Sequence, residues 1–503
     1  MGALFTVAEV RQAEQAAAAQ SPAGTLMQRA GHAATRVAIE LAGGATRGPV
    51  LVLAGPGNNG GDALEVAANL AQAGVNVTIV HLPCAGEPSP ETAHALARAR
   101  ASTVEFAETI PSGRWSLVVD GLFGIGLARP VEGAARAMVE AVNALECPVL
   151  ALDVPSGLDA DSGAVIGPDG VAVVATHTIT FIADKPGLHT FAGRDYAGEV
   201  LVARLGVEDA MLPGASVHLN EPALFELAFV PRQHDSHKGS FGDVTVVGGA
   251  HGMAGAPILA ARAALFSGAG RVYVAAIDPG PAYDYVQPEL MFRDAATFNH
   301  PGSTIVAGPG MGDSATSMRL LAKLLDGTSP LVLDADALNL IAASPDMQAR
   351  LSARTAPSIL TPHPLEAARL LGVTAAVIQG DRLEAAREIA ARFDAHVVLK
   401  GSGSVIAMPD GEAAINPTGN PGLASAGTGD VLAGLCGSLL AQGWPARDAA
   451  LAAVWMHGEA ADRLVADGVG PIGLTAGELP AAIRTVLNEM VARRPKRGGQ
   501  PQS

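Results

Sequence analysis

The sequence predicts an α/β protein built as two successive layered domains. Three observations carry that reading. The chain has 503 residues, 49% hydrophobic and 16% charged, which is too long for one ordinary core and apolar enough to bury more than one. Short apolar runs of strand length recur, each followed by a Gly-, Asp- or Asn-bearing loop and then a helical pattern. The alternation fades between about Gly206 and Arg232, where Pro, Gly and acidic residues mix without period, and restarts beyond it.

In the first half, Val7 to Ala42 reads as one helix, with Leu26, Met27, Ala30 and Ala34 near helical spacing, stopped by Gly43-Gly44. Val50–Ala54 is a strand. The polar loop Gly55-Pro56-Gly57-Asn58-Asn59-Gly60-Gly61-Asp62 follows, then a helix over Ala63–Ala73 and a strand over Val75–Val80. This is one βαβ unit. Strands at Leu117–Asp120 and Val149–Asp153 each end in an aspartate and a loop. Another at His177–Ile182 leads to Ala183-Asp184-Lys185-Pro186. In open α/β sheets ligands bind outside the carboxyl ends of the strands, where all these loops fall.

The second half places strands at Asp243–Val247, Arg271–Ala275, Thr304–Ala307, Leu331–Leu333, Ser358–Thr361 and His396–Leu399, with a helix over Ala256–Ser267. The loop Gly427-Thr428-Gly429-Asp430 opens a buried helix. The free N–H groups of a helix start, at the positive end of its dipole, make an anion site. An aspartate there repels an anion, which suits Asp430 if it takes a proton from a hydroxyl while the backbone holds a phosphoryl group. The tail 493–503 is basic, rich in Gly, Pro and Gln, and expected to be disordered.

Composition narrows the function. A net charge of −16 argues against nucleic-acid or anionic-membrane partners. Cys84, Cys147 and Cys436 have neither pairing nor metal spacing, which suggests a reducing, cytoplasmic setting. No apolar run reaches membrane-spanning length, and the N-terminus lacks the pattern of a secretory signal. Asn59, Asp120 and Ser156, at adjacent strand ends, are oxygen donors that suit a hard monovalent or alkaline-earth ion over zinc. The 124–130 loop offers glycine N–H groups and Arg129 for a diphosphate, and Lys185 is either solvated or paired with Asp153 for proton transfer. The Gly-x-Gly-x-x-Gly spacing at 55–60 lacks the acidic residue that should close the following strand, which ends at His81-Leu82-Pro83. In the second half Lys400-Gly401-Ser402-Gly403-Ser404 is either a plain hairpin or a phosphate loop, and no P-loop motif occurs. His363, between Pro362 and Pro364, faces the expected cleft. Asp334 and Asp336 read as strand-end turn residues in preference to metal ligands.

Together these motifs are specific. Gly-x-Gly-Asn-Asn-Gly-Gly-Asp, Asp-x-Leu-Phe-Gly-x-Gly-Leu and Asp-Val-Pro-Ser-Gly-Leu-Asp resemble the NAD(P)H-hydrate epimerase domain. Lys-Gly-Ser-Phe-Gly, Gly-Pro-Gly-Met-Gly, Asp-Ala-Asp-Ala-Leu-Asn, Thr-Pro-His-Pro-Leu-Glu, Leu-Lys-Gly-Ser-Gly-Ser and Gly-Thr-Gly-Asp-Val-Leu-Ala-Gly resemble the ADP-dependent NAD(P)H-hydrate dehydratase of the ribokinase-like superfamily. In this order, over roughly 1–490, the chain resembles the bifunctional nicotinamide nucleotide repair enzymes. The resemblance implies a Rossmann-like three-layer sandwich over 1–215 and a ribokinase-like α/β domain over 222–492.

It further implies potassium at Asn59, Asp120 and Ser156. NADHX or NADPHX would lie against Asn58, Asn59, Gly60, Gly61, Asp62, the segment Gly124, Ile125, Gly126, Leu127, Ala128, Arg129, Pro130, and Asp153, with Asp153 and Lys185 as the acid–base pair. The second domain would hold the S hydrate through Ala256, Gly312, His363 and Asp430, with Asp430 as base. ADP would lie on Lys400, Gly401, Ser402, Gly403, Ser404 and Gly429, accompanied by Mg2+. A homo-oligomer is expected. Two departures stand out. Ala63 replaces the usual glycine after Asp62, which questions the helix start beside the hydrate, and Ala426 replaces the usual glycine before Gly427. The rival readings are a ribokinase-like small-alcohol kinase with an N-terminal ligand-binding domain, and a non-catalytic scaffold. His363 between prolines and the fused first domain weigh against the kinase, and the intact set Asn59, Asp120 and Asp153 against the scaffold.

Overall fold

The computed structural model describes residues 2–43, 48–83, 86–299 and 301–493. The chain forms two compact units, Gly2–His218 and the residues from Leu219 on. The expected tail at 493–503, apart from Arg493, and Gly44 and Cys84 lie outside the described residues.

Within the first unit the strands β1 (Ala3–Leu4), β2 (Val50–Ala54), β3 (Val77–His81), β4 (Glu105–Ala107), β5 (Leu117–Gly121), β6 (Val149–Leu152), β7 (His177–Phe181) and β8 (Glu199–Ala203) precede β9 (Val217–Leu219). Strands β2 to β8 form a parallel sheet in the order β4-β3-β2-β5-β6-β7-β8. Alternate residues of β2 enter different cores, as the period of a strand requires. Val50, Val52 and Ala54 join the helices Val7–Ala19, Thr25–Leu41, Asn58–Gln72 and Pro90–Arg100 on one face. Leu51 and Leu53 join Val139 and Val142 of the helix Gly133–Asn143 on the other. The result is a three-layer sandwich. Successive strands are added outward in opposite directions from β2 and β5, so a crevice opens at their carboxyl ends. β1 pairs antiparallel with β9, and Phe5 N–H donates to Asp184 O at 2.8 Å, which ties the N-terminus to the loop that carries Lys185.

Two sequence expectations need correction here. The helix expected over Val7–Ala42 is two, broken at 20–24, where Pro22 lacks an N–H and Gly24 takes a left-handed φ of 78°. The polar loop Asn58–Asp62 is instead the first turn of the helix Asn58–Gln72. Its glycines read as a loop, yet Asn59, Gly60 and Gly61 are buried in tight packing that overrides their low helix propensity.

The second unit contains β10 (Asp243–Gly248), β11 (Arg271–Ala276), β12 (Met291–Asp294), β13 (Thr304–Ala307), β14 (Leu331–Leu333), β15 (Ser358–Leu360), β16 (His396–Leu399), β17 (Val405–Ala407) and β18 (Ala413–Ile415). Strands β12-β11-β10-β13-β14-β15-β16 run parallel, and β16-β17-β18 form an antiparallel edge. One face carries the helices Gly255–Phe266, Thr428–Ala441, Ala446–Ala466 and Leu479–Arg493, packed through Val246, Val306, Leu435 and Leu439. The helix Arg382–Phe393 packs on β16 and β17. Helix Thr428–Ala441 lies so close to its neighbour that a Cβ on Gly434 would sit 2.0 Å from Ala260 O. That fit aims the helix start, with Gly429 and Asp430, at the carboxyl edge of the sheet.

Ala63, the departure from the family pattern, is fully buried and absent from the wall of the crevice. Its methyl packs on Gly121, where any Cβ would come within 2.4 Å of it. The extra carbon is thus matched by a missing one on β5. Ala63→Gly is expected to lose about 1–2 kcal/mol from helix propensity and lost burial, read as a lower urea midpoint, with an unchanged rate at the first site.

Candidate active sites

In the first unit Gly55, Gly60 and Leu122 draw the ends of β2 and β5 together. A Cβ on Gly55 would lie 1.7 Å from Leu122 O, and one on Gly60 1.9 Å from Gly55 O. This closeness brings the start of helix Asn58–Gln72 beside Asp120. Asp120 is fully buried and accepts Ser156 Oγ at 2.7 Å, Ser156 N at 2.9 Å and Leu122 N at 3.2 Å. Burial pushes its carboxyl up to about 6 against the pull of those hydrogen bonds. Asn59 is 8% exposed, and neither its Oδ1 nor its Nδ2 has a hydrogen-bond partner. An unpaired buried amide is costly and calls for a ligand.

Asp153 follows β6 with φ of 66°, a region that a residue bearing a Cβ rarely adopts. It is held there from several sides. Its N–H donates to Ile179 O at 2.8 Å, its Oδ2 accepts Ile125 N at 3.2 Å, and its Oδ1 accepts Lys185 Nζ at 2.6 Å. Lys185 has no solvent exposure, and its Nζ also donates to Thr180 Oγ1 at 2.6 Å and Phe181 O at 2.9 Å. Three acceptors match the three N–H groups of an ammonium.

A cavity of about 810 Å³ opens above this pair. Asn58, Asn59, Asp62, the segment Gly124–Arg129 and Asp153 line it. Gly60 and Gly61 are packed behind the wall, Lys185 lies beneath Asp153, and Pro130 is also off the wall. The sequence reading missed Arg11 and Glu14, which enter from helix Val7–Ala19. The available signal was a charged pair three residues apart in an alanine-rich helix. Burial, then Asp153, raises the Glu14 carboxyl. Burial, then Asp153, Glu14 and Glu65, drives that of Asp62 well above the usual range. Burial and like charge thus shift both carboxyls toward the protonated form.

In the second unit the loops after β13, β14, β15 and β16 meet the start of helix Thr428–Ala441. Asp334 ends β14, is 1% exposed, and accepts Lys400 Nζ at 2.7 Å and Thr361 Oγ1 at 2.8 Å. This corrects the sequence expectation for Asp334, which is one half of a buried ion pair in addition to ending a strand. Lys400 Nζ also lies 4.0 Å from Glu366 Oε2 and 3.3 Å from where a Cβ on Gly429 would be. Burial alone would lower the Lys400 ammonium, but Asp334, Glu366 and Asp430 together hold it above its ordinary value.

His363 caps the helix Pro364–Leu371. Its Nδ1 accepts Leu365 N at 3.1 Å and Glu366 N at 3.3 Å, and its own N–H donates to Glu366 Oε2 at 2.8 Å. That pattern assigns the ring proton to Nε2. Burial and the nearby Lys400 lower its pKa, which favours the neutral ring. Gly312 N donates to Asp336 Oδ2 at 2.8 Å, and Gly310, two residues earlier, faces Ala256. Asp430 sits in the first turn of its helix. Burial, then the charge of Asp334, pushes its carboxyl up to about 7, with Lys400 opposing and Asp336 adding. The residues singled out from sequence are therefore gathered at one sheet edge, with Lys400–Ser404 forming the turn between antiparallel β16 and β17. Asp334 and Glu366 are the members the sequence reading left out of the site.

Among the described residues no group of three or more His, Cys, Asp or Glu side chains is placed to hold a metal ion, and no helix is long and apolar enough to cross a membrane.

Residues 23–187 match the family described as YjeF-related protein N-terminus, and residues 244–483 match that described as NAD(P)H-hydrate dehydratase. The bifunctional NAD(P)H-hydrate repair enzyme Nnr of Coxiella burnetii is 38% identical over 479 residues, covering 92% of this chain and 94% of that protein. The enzyme of the same name from Escherichia coli K12 is 37% identical over 484 residues, covering 93% and 90%. The crystal structure of an ADP/ATP-dependent NAD(P)H-hydrate dehydratase from Bacillus subtilis, co-crystallised with ATP/Mg2+, is 32% identical. It covers 54% of this chain and 98% of that one with a TM-score of 0.49. With nearly its whole length aligned to relatives of both kinds of domain in one polypeptide, this chain belongs to the family of bifunctional NAD(P)H-hydrate repair enzymes.

Proposed function

We propose that the first unit interconverts the R and S hydrates of NADH and NADPH, and that the second dehydrates the S hydrate at the expense of ADP, giving NAD(P)H, AMP and phosphate. The observation that carries this reading is Asp430, a carboxylate of raised pKa on the same helix turn as an anion site and beside the Lys400 ammonium. A base and a phosphoryl site within one turn serve transfer to a hydroxyl.

In the first unit the cavity takes the hydrated nicotinamide, with Arg129 at its rim for the diphosphate. Epimerisation at ring carbon 6 requires the hydroxyl to leave and return on the other face. Asp153, charge-balanced by Lys185, exchanges the proton that this requires, with Asp62 on the same cavity wall. Asn59, Asp120 and Ser156 fit a potassium ion. They offer an unpartnered buried amide, a buried carboxylate and a hydroxyl already bonded to that carboxylate. Potassium there would supply fixed positive charge beneath the loops that follow β5 and β6.

In the second unit Asp430 removes the proton of the hydrate hydroxyl, whose oxygen attacks the β-phosphorus of ADP as the bond to AMP breaks. Lys400 and the N–H groups around Gly429 hold the phosphoryl oxygens. Phosphate then leaves carbon 6, pushed by the ring nitrogen, and loss of a proton from carbon 5 restores the dihydropyridine. His363, Gly312 and Ala256 line the hydrate's side. Mg2+ would arrive with the nucleotide, since such an ion needs only one or two protein carboxylates besides phosphates. A cytoplasmic setting accords with the free thiols of Cys147 and Cys436.

The test is recovery of dihydronicotinamide absorbance from mixed NADH hydrates, with and without ADP and potassium. Formation of a stable phosphorylated alcohol without recovery overturns the reading. Asp430→Ala is expected to slow dehydration by about 10²–10⁴-fold and spare epimerisation, and Asp153→Asn to do the reverse. The two variants must separate the activities cleanly.

The acidity of Asp430 fixes a pH profile. The base works ionised, so dehydration should rise with pH through about 7 and then level. Its folded pKa lies above the unfolded one, so its contribution to stability is full below about pH 4 and lost as pH rises through the folded value. Asp430→Asn is therefore expected to melt above the wild type at about pH 8 and with it at about pH 4, as calorimetry would show.

A further inference from the structure

We propose that Arg382 is the positioning residue of the ADP site, fixing the backbone of Lys400 so that its ammonium reaches the start of helix Thr428–Ala441. This rests on the dehydratase reading above. Arg382 is 1% exposed and stands among the largest fully buried side chains of the protein. Asp381 caps its helix by accepting Glu384 N at 3.0 Å, which sets Arg382 at the first helical position. From there its Nη2 donates to Leu399 O and to Lys400 O, both at 3.2 Å, and its Nη1 to Gln379 Oε1 at 2.6 Å. Burial lowers its pKa to about 10, which leaves it charged at neutral pH.

The consequence falls on Lys400. Its N–H donates to Pro362 O at 2.9 Å and its C=O is held by Arg382, so the peptide groups on both sides of its Cα are fixed. A long flexible side chain launched from a fixed backbone loses less freedom when its tip is ordered. Here the tip lies between Asp334 and Gly429. The same guanidinium explains the next residue. Gly401 has φ of 144°, and a Cβ on it would sit 2.8 Å from Nη2 and 2.9 Å from Nη1 of Arg382. Gly401 therefore meets two demands, its own left-handed φ and close contact with an arginine nineteen residues upstream.

The test is steady-state dehydration against ADP concentration, with epimerisation as the internal control. Arg382→Met is expected to raise KM for ADP by about 10-fold or more with a smaller change in kcat and no change in epimerisation. Arg382→Lys should recover part of the loss. A lower melting temperature in Arg382→Met with KM for ADP unchanged overturns the proposal. If Arg382→Met does not fold, Arg382→Lys decides on the same KM. Wild-type protein that leaves the S hydrate intact with ADP overturns the functional reading and this proposal with it.

Discussion

The ammonium of Lys185, wholly withdrawn from water, is the constraint around which the first site is built. Such a charge is tolerated only where every donor is met and a counter-charge lies in contact, and removing the partner typically costs about 3–5 kcal/mol. Asp153, Thr180 and Phe181 meet those needs. The carboxylate must come to the lysine, and it does so from a left-handed backbone that few residues with a Cβ accept. With one oxygen on Lys185, the other is left to Ile125 N and the cavity. The strain at Asp153 is therefore the geometric cost of pointing an ion-paired carboxylate at the cavity while its counter-ion stays dry.

The second site uses a lysine–aspartate pair with the opposite emphasis. Lys400 is the more exposed partner, with its Nζ at the start of helix Thr428–Ala441, and Asp334 is the buried one. Surrounded by Asp334, Glu366 and Asp430, the lysine stays charged despite burial, and it offsets the repulsion that would otherwise keep Asp430 protonated at higher pH still. An aspartate at a helix start that should attract anions is unfavourable only until its neighbours are counted. With Asp334 and Asp336 near and the carboxyl half-buried, its pKa settles near neutrality, the range that suits the proposed base.

How much of this was legible depended on whether the cause was local. Buried parallel strands are short runs of Val, Ile, Leu and Ala, so β2, β5, β13 and β16 could be read directly, and with them the loops at their carboxyl ends. Asp153, Lys185, Asp430 and Lys400 were accessible for that reason. The break at Pro22 is also local, but the alanine-rich flanks masked it. Arg11 and Glu14 were not accessible, because only tertiary packing brings their helix over the cavity. Arg382 was hidden in another way: in a helix with Arg387 and Glu388, an arginine reads as one more solvated charge. Asp334 looked like a turn former because its partner is 66 residues away.

The glycines of the motifs show the same division. As sequence they all suggest a backbone cleared for a ligand. In the fold, Gly55 and Gly60 are cleared for each other's backbone and for Leu122, Gly121 for the Ala63 methyl, Gly434 for Ala260 and Gly401 for Arg382. Gly429 differs: the nearest group to its missing Cβ is the Lys400 ammonium, at the open start of a helix. A glycine-rich signature is therefore mostly a record of close packing that positions the chemistry, and only in small part a record of ligand contact. A substitution at such a glycine would then act on affinity or rate through the neighbour it displaces, as the pairing of Gly401 with Arg382 makes explicit.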